Sequence, residues 1–112
     1  MKGLKDKVVL ISGTAGGQGR AAALAFAREG AKVLGCDVKV AEAEETVRMV
    51  TEAGGTMRSV QPLDLSELAN AEDWAKIAYE EWGGIDVLYN NAGLSIPNSL
   101  SLEYLIKIKI EI

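Results

Sequence analysis

The sequence predicts an α/β fold in which helices cover a parallel β-sheet. Short apolar runs alternate with longer segments whose apolar residues recur at helical spacing, in the order strand-helix-strand-helix-strand-helix-strand. A cluster of glycines, residues 12–19, lies between the first apolar run and the first helical segment. This alternation implies right-handed crossovers between parallel strands.

The first half of the chain contains two strands and one helix. Residues 8–11 are a continuous apolar run, as expected for a strand that is buried on both faces. A helix is predicted over 20–29, with Gly30 placed to end it. The second strand is predicted over 32–36 and is followed directly by Asp37.

The middle of the chain predicts a second helix and a weaker strand. The helix covers 41–53 and is closed by a pair of glycines. One face of it is apolar and carries Ala43, Val47 and Val50. The strand covers 57–63, and Pro62 can lie only at its end because proline has no N–H to donate.

The last helix and strand precede a polar motif. Ser66 or Asn70 is expected to cap the helix, with Asp73 completing a capping-box variant after Asn70. Its core-facing residues are Ala71, Trp74, Ala75, Ala78 and Trp82. Gly83 and Gly84 end the helix, and the fourth strand covers 85–89.

Composition excludes several classes of protein. The chain has 112 residues, enough for one domain, and its net charge of −4 argues against a nucleic-acid partner. Cys36 is the only cysteine, which suits a reducing compartment and predicts a cytoplasmic protein. No apolar stretch approaches a membrane span. Without histidines, a histidine metal site or general base is excluded, and we predict no metal site.

The glycine cluster predicts an anion site between a strand and a helix. Glycines allow a tight turn, close approach of the backbone to a pyrophosphate and close packing of helix on strand. The free N–H groups and the positive end of the helix favour an anion. A purely structural turn is the alternative interpretation.

Asp37 is a candidate ligand for the ribose of an adenosine, because it ends the second strand a little over twenty residues after the first glycine. Its carboxylate could accept hydrogen bonds from both ribose hydroxyls and would repel a 2′-phosphate. The turn has no basic residue at Thr14, Ala15 or Gly16. Asp37 therefore predicts NAD rather than NADP, the alternative being an aspartate that begins a turn.

Two further strand ends carry polar residues. Asp64 and Leu65 end the third strand, where the acid could meet an adenine amino group or begin the turn before Ser66. Residues 90–93, Asn-Asn-Ala-Gly, end the fourth strand, and their side-chain amides could bridge strands. Alone, either segment could be a turn.

Together these motifs resemble the short-chain dehydrogenase/reductase family over residues 3–97. The family's glycine pattern is matched by Ser12, Gly13, Gly17 and Gly19. The family's N-N-A-G motif is matched by residues 90–93, and its ribose and adenine positions are matched by Asp37, Asp64 and Leu65. Gln18 departs from the pattern, since the family usually has isoleucine or leucine there.

The resemblance implies a truncated Rossmann-type, doubly wound sheet with strand order 3-2-1-4. It implies an NAD cofactor and, in a full-length form, hydride transfer between NAD and an alcohol or ketone. The cofactor-binding residues that it implies are Gly13, Gly17, Gln18, Gly19, Asp37, Asp64, Leu65, Asn91, Ala92 and Gly93.

The catalytic residues of the family have no match in this sequence. The family places a serine and a Tyr-x-x-x-Lys pair well beyond N-N-A-G, whereas Tyr104 is followed four residues later by Ile108. We therefore expect residues 1–97 to be a dinucleotide-binding domain that is cut short before the catalytic half.

Residues 98–112 are predicted to be a tail unlike the family. Isoleucines alternate with charged residues over 104–112, which predicts a strand with one apolar face. Such a strand could fold back on the sheet of its own chain or pair with the open sheet edge of another. We favour pairing between chains, which predicts a homo-oligomer. The alternative function is a self-associating structural fragment with an incidental cofactor site.

Overall fold

The computed structural model describes residues 3–91, which form one parallel sheet and three helices. In chain order the elements are β1 (Val8–Ser12), α1 (Gly17–Arg28), β2 (Lys32–Cys36), α2 (Val40–Glu52), β3 (Thr56–Val60), α3 (Leu68–Trp82) and β4 (Val87–Asn90). The sheet has the order β3-β2-β1-β4, so the predicted fold class and strand order are confirmed.

The strand register brings the carboxyl ends of the strands together. Ser12, the last residue of β1, is paired with Cys36 on one side and with Asn90 on the other. Cys36 is in turn paired with Val60 at the end of β3. The polar residues that follow these strands therefore meet at one edge of the sheet.

The core lies on both faces of the sheet, because alternate side chains of a strand point to opposite faces. Leu10 and Leu34 pack with Trp74 under α3, and Val9 and Val33 pack under α1 and α2. Every residue of β1 is buried. The continuous apolar run of residues 8–11 predicted this burial on both faces of the strand.

The helices bury the faces that their spacing predicted. In α2, Ala43 and Val50 are buried, and Val47 packs against the core cluster that contains Val50. In α3, Trp74 is fully buried and its indole N–H donates to the Gly35 carbonyl at 3.1 Å. The other predicted core residues of α3 are buried as well, except Trp82, which packs half-buried against the core.

Several predicted boundaries were wrong by a few residues. Helix α1 begins at Gly17 rather than at residue 20, so the last glycines of the cluster form its first turn. Strand β3 ends at Val60, and Pro62 lies beyond it after a cis peptide bond. Strand β4 begins at Val87 because the preceding Asp86 accepts a hydrogen bond from the Val8 N–H.

The predicted caps of α3 were wrong. The residue at the cap position is Glu67, and its side chain makes no capping bond. The Ser66 N–H instead donates to the Asp64 carboxylate, and the Asn70 amide donates to the Asp64 carbonyl, both at 2.9 Å. The loop before α3 is thus closed by Asp64.

Residues 3–91 contain neither a membrane-spanning helix nor a group of metal ligands. No helix there is long and apolar enough to cross a membrane. The same residues bring together no group of histidine, cysteine, aspartate or glutamate side chains that could hold a metal ion. The predicted domain boundary at 97 and the predicted strand at 104–112 lie outside the described residues.

Candidate functional site: a cleft at the carboxyl ends of the strands

The glycine turn, residues 13–16, is held against the end of β2. Gly13 has φ +77°, which favours a residue without a side chain. The N–H groups of Gly13 and Thr14 both donate to the Cys36 carbonyl, at 2.9 and 3.3 Å. These bonds fix where the chain leaves β1 and enters α1.

Gly19 allows α1 to begin directly against this turn. A Cβ atom at position 19 would lie 1.8 Å from the Gly13 carbonyl oxygen and 2.9 Å from the Asn91 side-chain amide. The first of these distances is far inside van der Waals contact. Only glycine therefore fits here, which is the close helix–strand packing that the glycine pattern predicted.

The amino terminus of α1 presents unbonded N–H groups. Gly16 occupies the cap position without a side chain to accept them, and the first turn contains no acidic residue. The Arg20 N–H makes the first backbone bond of the helix, to the Gly16 carbonyl at 3.3 Å. The N–H groups of Gly17, Gln18 and Gly19 remain for an anion, which the positive end of the helix also attracts.

Asp37 faces the glycine turn. One carboxylate oxygen accepts from the Ala15 N–H and the other from the Lys39 N–H, each at 2.9 Å. The Lys39 bond is the aspartate turn that was the alternative interpretation of this residue. A carboxylate has about four acceptor positions, so each oxygen keeps one for another donor.

A cavity of about 380 Å³ lies between these groups. We call it the strand-end cleft, and it is lined by Gly13, Ala15, Gly16, Gly17, Asp37, Lys39, Glu42 and Asn91. It brings together the glycine turn, the acid that follows β2 and the end of β4, because the carboxyl ends of parallel strands meet at one edge of the sheet. Its charged side chains are two acids, Asp37 and Glu42, and one base, Lys39.

Asparagines at the end of β4 fasten that strand to the glycine turn. The Ser12 hydroxyl lies 3.0 Å from the Asn90 side-chain oxygen and accepts from the Asn91 N–H at 2.9 Å. The Asn91 amide donates to the Gly13 carbonyl at 3.4 Å. The amides therefore bridge β4 to β1, which was one of the roles considered for this motif.

The structure does not bring Asp64 and Leu65 into the strand-end cleft. Leu65 is 5% exposed and packs in the core under α3. The Ser66 N–H binds the exposed Asp64 carboxyl and lowers its pKa below the ordinary value. Among the other candidates, the side chain of Gln18 is exposed, while Ala92 and Gly93 lie outside the described residues.

Two residues behind the glycine turn were missed by the sequence analysis. Arg20 donates from Nη2 to the carbonyls of Ala15, at 2.8 Å, and Glu42, at 3.0 Å. Its Nε donates to the Thr46 hydroxyl at 2.9 Å, and that hydroxyl donates to the Thr14 carbonyl at 2.5 Å. The sequence feature that could have pointed to this contact is Thr46, a polar residue within the apolar face of α2.

The fold and site define a class of protein. A parallel sheet of order 3-2-1-4, a glycine turn into a helix amino terminus and an acid at the end of the second strand form a Rossmann-type domain. The family profile described as short chain dehydrogenase matches residues 7–107. The chain belongs to the short-chain dehydrogenase family. Because the match extends beyond Pro97, the predicted end of the dinucleotide-binding domain at that residue stays a prediction.

Known proteins of this family resemble much of the chain. Galactitol 2-dehydrogenase from Agrobacterium fabrum is 41% identical over 91 residues, which are 81% of this chain and 34% of the relative. The chain thus spans about a third of the length of this curated relative.

Solved structures match the fold. A metagenomic short-chain oxidoreductase in complex with NADP has a TM-score of 0.75 at 29% identity, over 81% of this chain and 41% of its own. A hydroxysteroid dehydrogenase from Escherichia coli has a TM-score of 0.81 at 24% identity, over 96% of this chain and 54% of its own. At that identity the second likeness concerns the fold alone.

Proposed function

We propose that this chain binds NAD(H) in the strand-end cleft and is the cofactor-binding part of a short-chain dehydrogenase. The observation that carries the proposal is the position of the Asp37 carboxylate, which is bonded to the Ala15 N–H at 2.9 Å beside the unbonded amino terminus of α1. An anion site and a ribose acceptor next to each other are what an adenosine pyrophosphate needs.

The charges around the cleft support NAD over NADP. A 2′-phosphate would lie close to Asp37, and Glu42 adds a second negative charge to the lining of the same cleft. Lys39 is the basic side chain that lines the cleft. The guanidinium of Arg20 donates to two backbone carbonyls and to Thr46 behind the turn, so these donors are already engaged.

The reaction proposed for the full-length form is hydride transfer between NAD and a hydroxyl or carbonyl substrate. This proposal rests on membership of the family. The chain's own residues would hold the adenosine and the pyrophosphate. When bound, the cofactor would supply or accept the hydride.

Calorimetric titration with NAD, NADP and ADP tests the proposal. We expect saturable binding of NAD at one site per chain and weaker binding of NADP. ADP should bind as well, because it carries the adenosine ribose and a pyrophosphate. Failure of NAD and ADP to bind a folded chain would contradict the proposal.

A second function is favoured by one observation, the open edge of β4. Within residues 3–91, β4 pairs with β1 and has no neighbour on its other side. An unpaired strand edge offers N–H and C=O groups to another strand. We propose that the chain forms a homo-oligomer, with the tail at 104–112 as the added strand.

The proposed location is the cytoplasm. The support is the single cysteine, which the structure places in the core as a buried thiol rather than in a disulfide.

A further inference from the structure

We propose that Thr46 and Arg20 are positioning residues that fix two peptide planes of the glycine turn, so that the Gly16 N–H points into the strand-end cleft. Neither residue lines the cleft. The inference rests on the proposed function, because the ligand that would use this N–H is the pyrophosphate of the cofactor.

Two consecutive carbonyls of the turn are held by side chains that do not line the cleft. The Thr14 carbonyl accepts from the Thr46 hydroxyl at 2.5 Å, and the Ala15 carbonyl accepts from Arg20 Nη2 at 2.8 Å. Both donors stand on the side of α2, since Thr46 belongs to that helix and Arg20 also donates to the Glu42 carbonyl at its first turn.

Because the peptide bond is planar, the bonds to these carbonyls also fix the directions in which the following N–H groups point. In a trans peptide the C=O of one residue and the N–H of the next point in opposite directions. Holding the Thr14 carbonyl therefore turns the Ala15 N–H towards Asp37, to which it donates at 2.9 Å. By the same geometry, holding the Ala15 carbonyl on Arg20 turns the Gly16 N–H away from Arg20, and Gly16 lines the cleft.

The turn needs such anchors because its residues are easily reoriented. Gly16 has an extended backbone, φ 179° and ψ −172°, and a Cβ at this position would meet nothing within 4 Å. A glycine in open space can rotate at little steric cost. If the Ala15–Gly16 peptide rotated, its carbonyl oxygen would face the anion and repel it.

The anchors themselves are rigid. The Arg20 fork is planar and is held at both Nε and Nη2. The Thr46 hydroxyl donates to the Thr14 carbonyl and accepts from Arg20, and both threonines are fully buried. Thr46 thereby couples helix α2 to the glycine turn, although Thr46 itself does not line the strand-end cleft.

Thr46→Val is the sharpest variant, because it removes the hydroxyl without changing charge or much volume. Thr46→Ser keeps the hydroxyl and should restore binding. Arg20→Lys keeps the positive charge but loses the planar guanidinium. It therefore separates the orientation of the turn from the electrostatic attraction of the anion. Arg28→Met, at the exposed far end of α1, is the control for a lost positive charge.

The experiment is calorimetric titration of each variant with NAD, ADP and adenosine, alongside thermal unfolding. We expect Thr46→Val and Arg20→Lys to weaken NAD and ADP by about tenfold. In Arg20→Lys, adenosine should change by less than about twofold, because Arg20 holds the carbonyl that precedes the Gly16 N–H. Thr46→Ser and Arg28→Met should bind like the unaltered chain.

Equal losses of ADP and adenosine binding in Arg20→Lys, or no loss of ADP binding in a folded Thr46→Val or Arg20→Lys variant, would overturn the inference. If one of the two variants does not fold, the other decides. If the unaltered chain binds neither NAD nor ADP, the proposed function fails instead, and the two failures are distinguishable.

Discussion

The carboxylate of Asp37 accepts a hydrogen bond from the backbone N–H of Ala15 at 2.9 Å, which joins the end of β2 to the glycine turn. The same carboxylate binds the Lys39 N–H through its other oxygen. Asp37 thus holds the backbone on either side of the cleft and still has acceptor positions for a ligand. The structural role of Asp37 is therefore compatible with its proposed role in binding the ribose.

Replacing Asp37 with asparagine should narrow the preference for NAD over NADP. The unaltered chain is expected to favour NAD by about 1–3 kcal/mol, because the Asp37 carboxylate repels the 2′-phosphate of NADP and loses a hydrogen bond to the ribose hydroxyl that carries it. Titration of both cofactors measures the difference. Asp73→Asn, an exposed acid on α3, is the control. Equal or tighter binding of NADP by the unaltered chain would refute the role given to Asp37.

Gly19→Ala should destabilise the chain far more than Gly16→Ala. The added Cβ at position 19 would lie 1.8 Å from the Gly13 carbonyl oxygen, whereas at position 16 it meets nothing within 4 Å. We expect a loss of about 3 kcal/mol or more for Gly19→Ala and less than about 1 kcal/mol for Gly16→Ala. Urea unfolding compares the two. Equal stability of both variants would show that α1 does not pack on β1 as described.

The stability of the chain should fall with rising pH through its single thiol. Burial, with a smaller contribution from the Asp37 charge, raises the pKa of Cys36 above its ordinary value. The native state therefore keeps its proton while the unfolded state loses it, and stability is full below about pH 8.5 and falls above it. The loss approaches about 1.4 kcal/mol per pH unit.

Cys36→Ala isolates this contribution, because the other groups that titrate at high pH stay in place. The difference in unfolding free energy between the two proteins, measured in urea at several pH values from 7 to 10, should shrink as the pH rises. A difference that is independent of pH would mean that the thiol is not buried.

The tail should decide the size of the particle in solution. If residues 104–112 of one chain add a strand to the open β4 edge of another, the full chain is an oligomer and a chain ending at Ser101 is smaller. Light scattering on both chains gives their masses. If the full chain and the shortened chain are both monomeric and equally stable in urea, the tail does not mediate association.

The sequence predicted the architecture because its main signals are local. The apolar run of β1, the glycine cluster and the helical spacing of residues such as Trp74 each specify an element without knowledge of its neighbours. Alternation of the elements then limits the sheet to few orders, and the order 3-2-1-4 was correct.

The parts that sequence reasoning missed depend on contacts between distant segments. The bond from Arg20 to Thr46 joins residues on two different helices, and neither residue belongs to a recognised motif. The caps assigned to Ser66 and Asn70 failed because both bind Asp64, which competes for them within the loop. Local propensity alone does not resolve such competition.

The most direct test of the central claim is a titration of the ¹⁵N-labelled chain with NAD, followed by the backbone amide signals. The strand-end cleft predicts saturable shifts at Gly16, Gly17 and Ala15, with little change at Gly54 and Gly55. Those two glycines line a separate groove at the amino ends of the strands. Shifts confined to that groove, or none at millimolar NAD, would contradict the account.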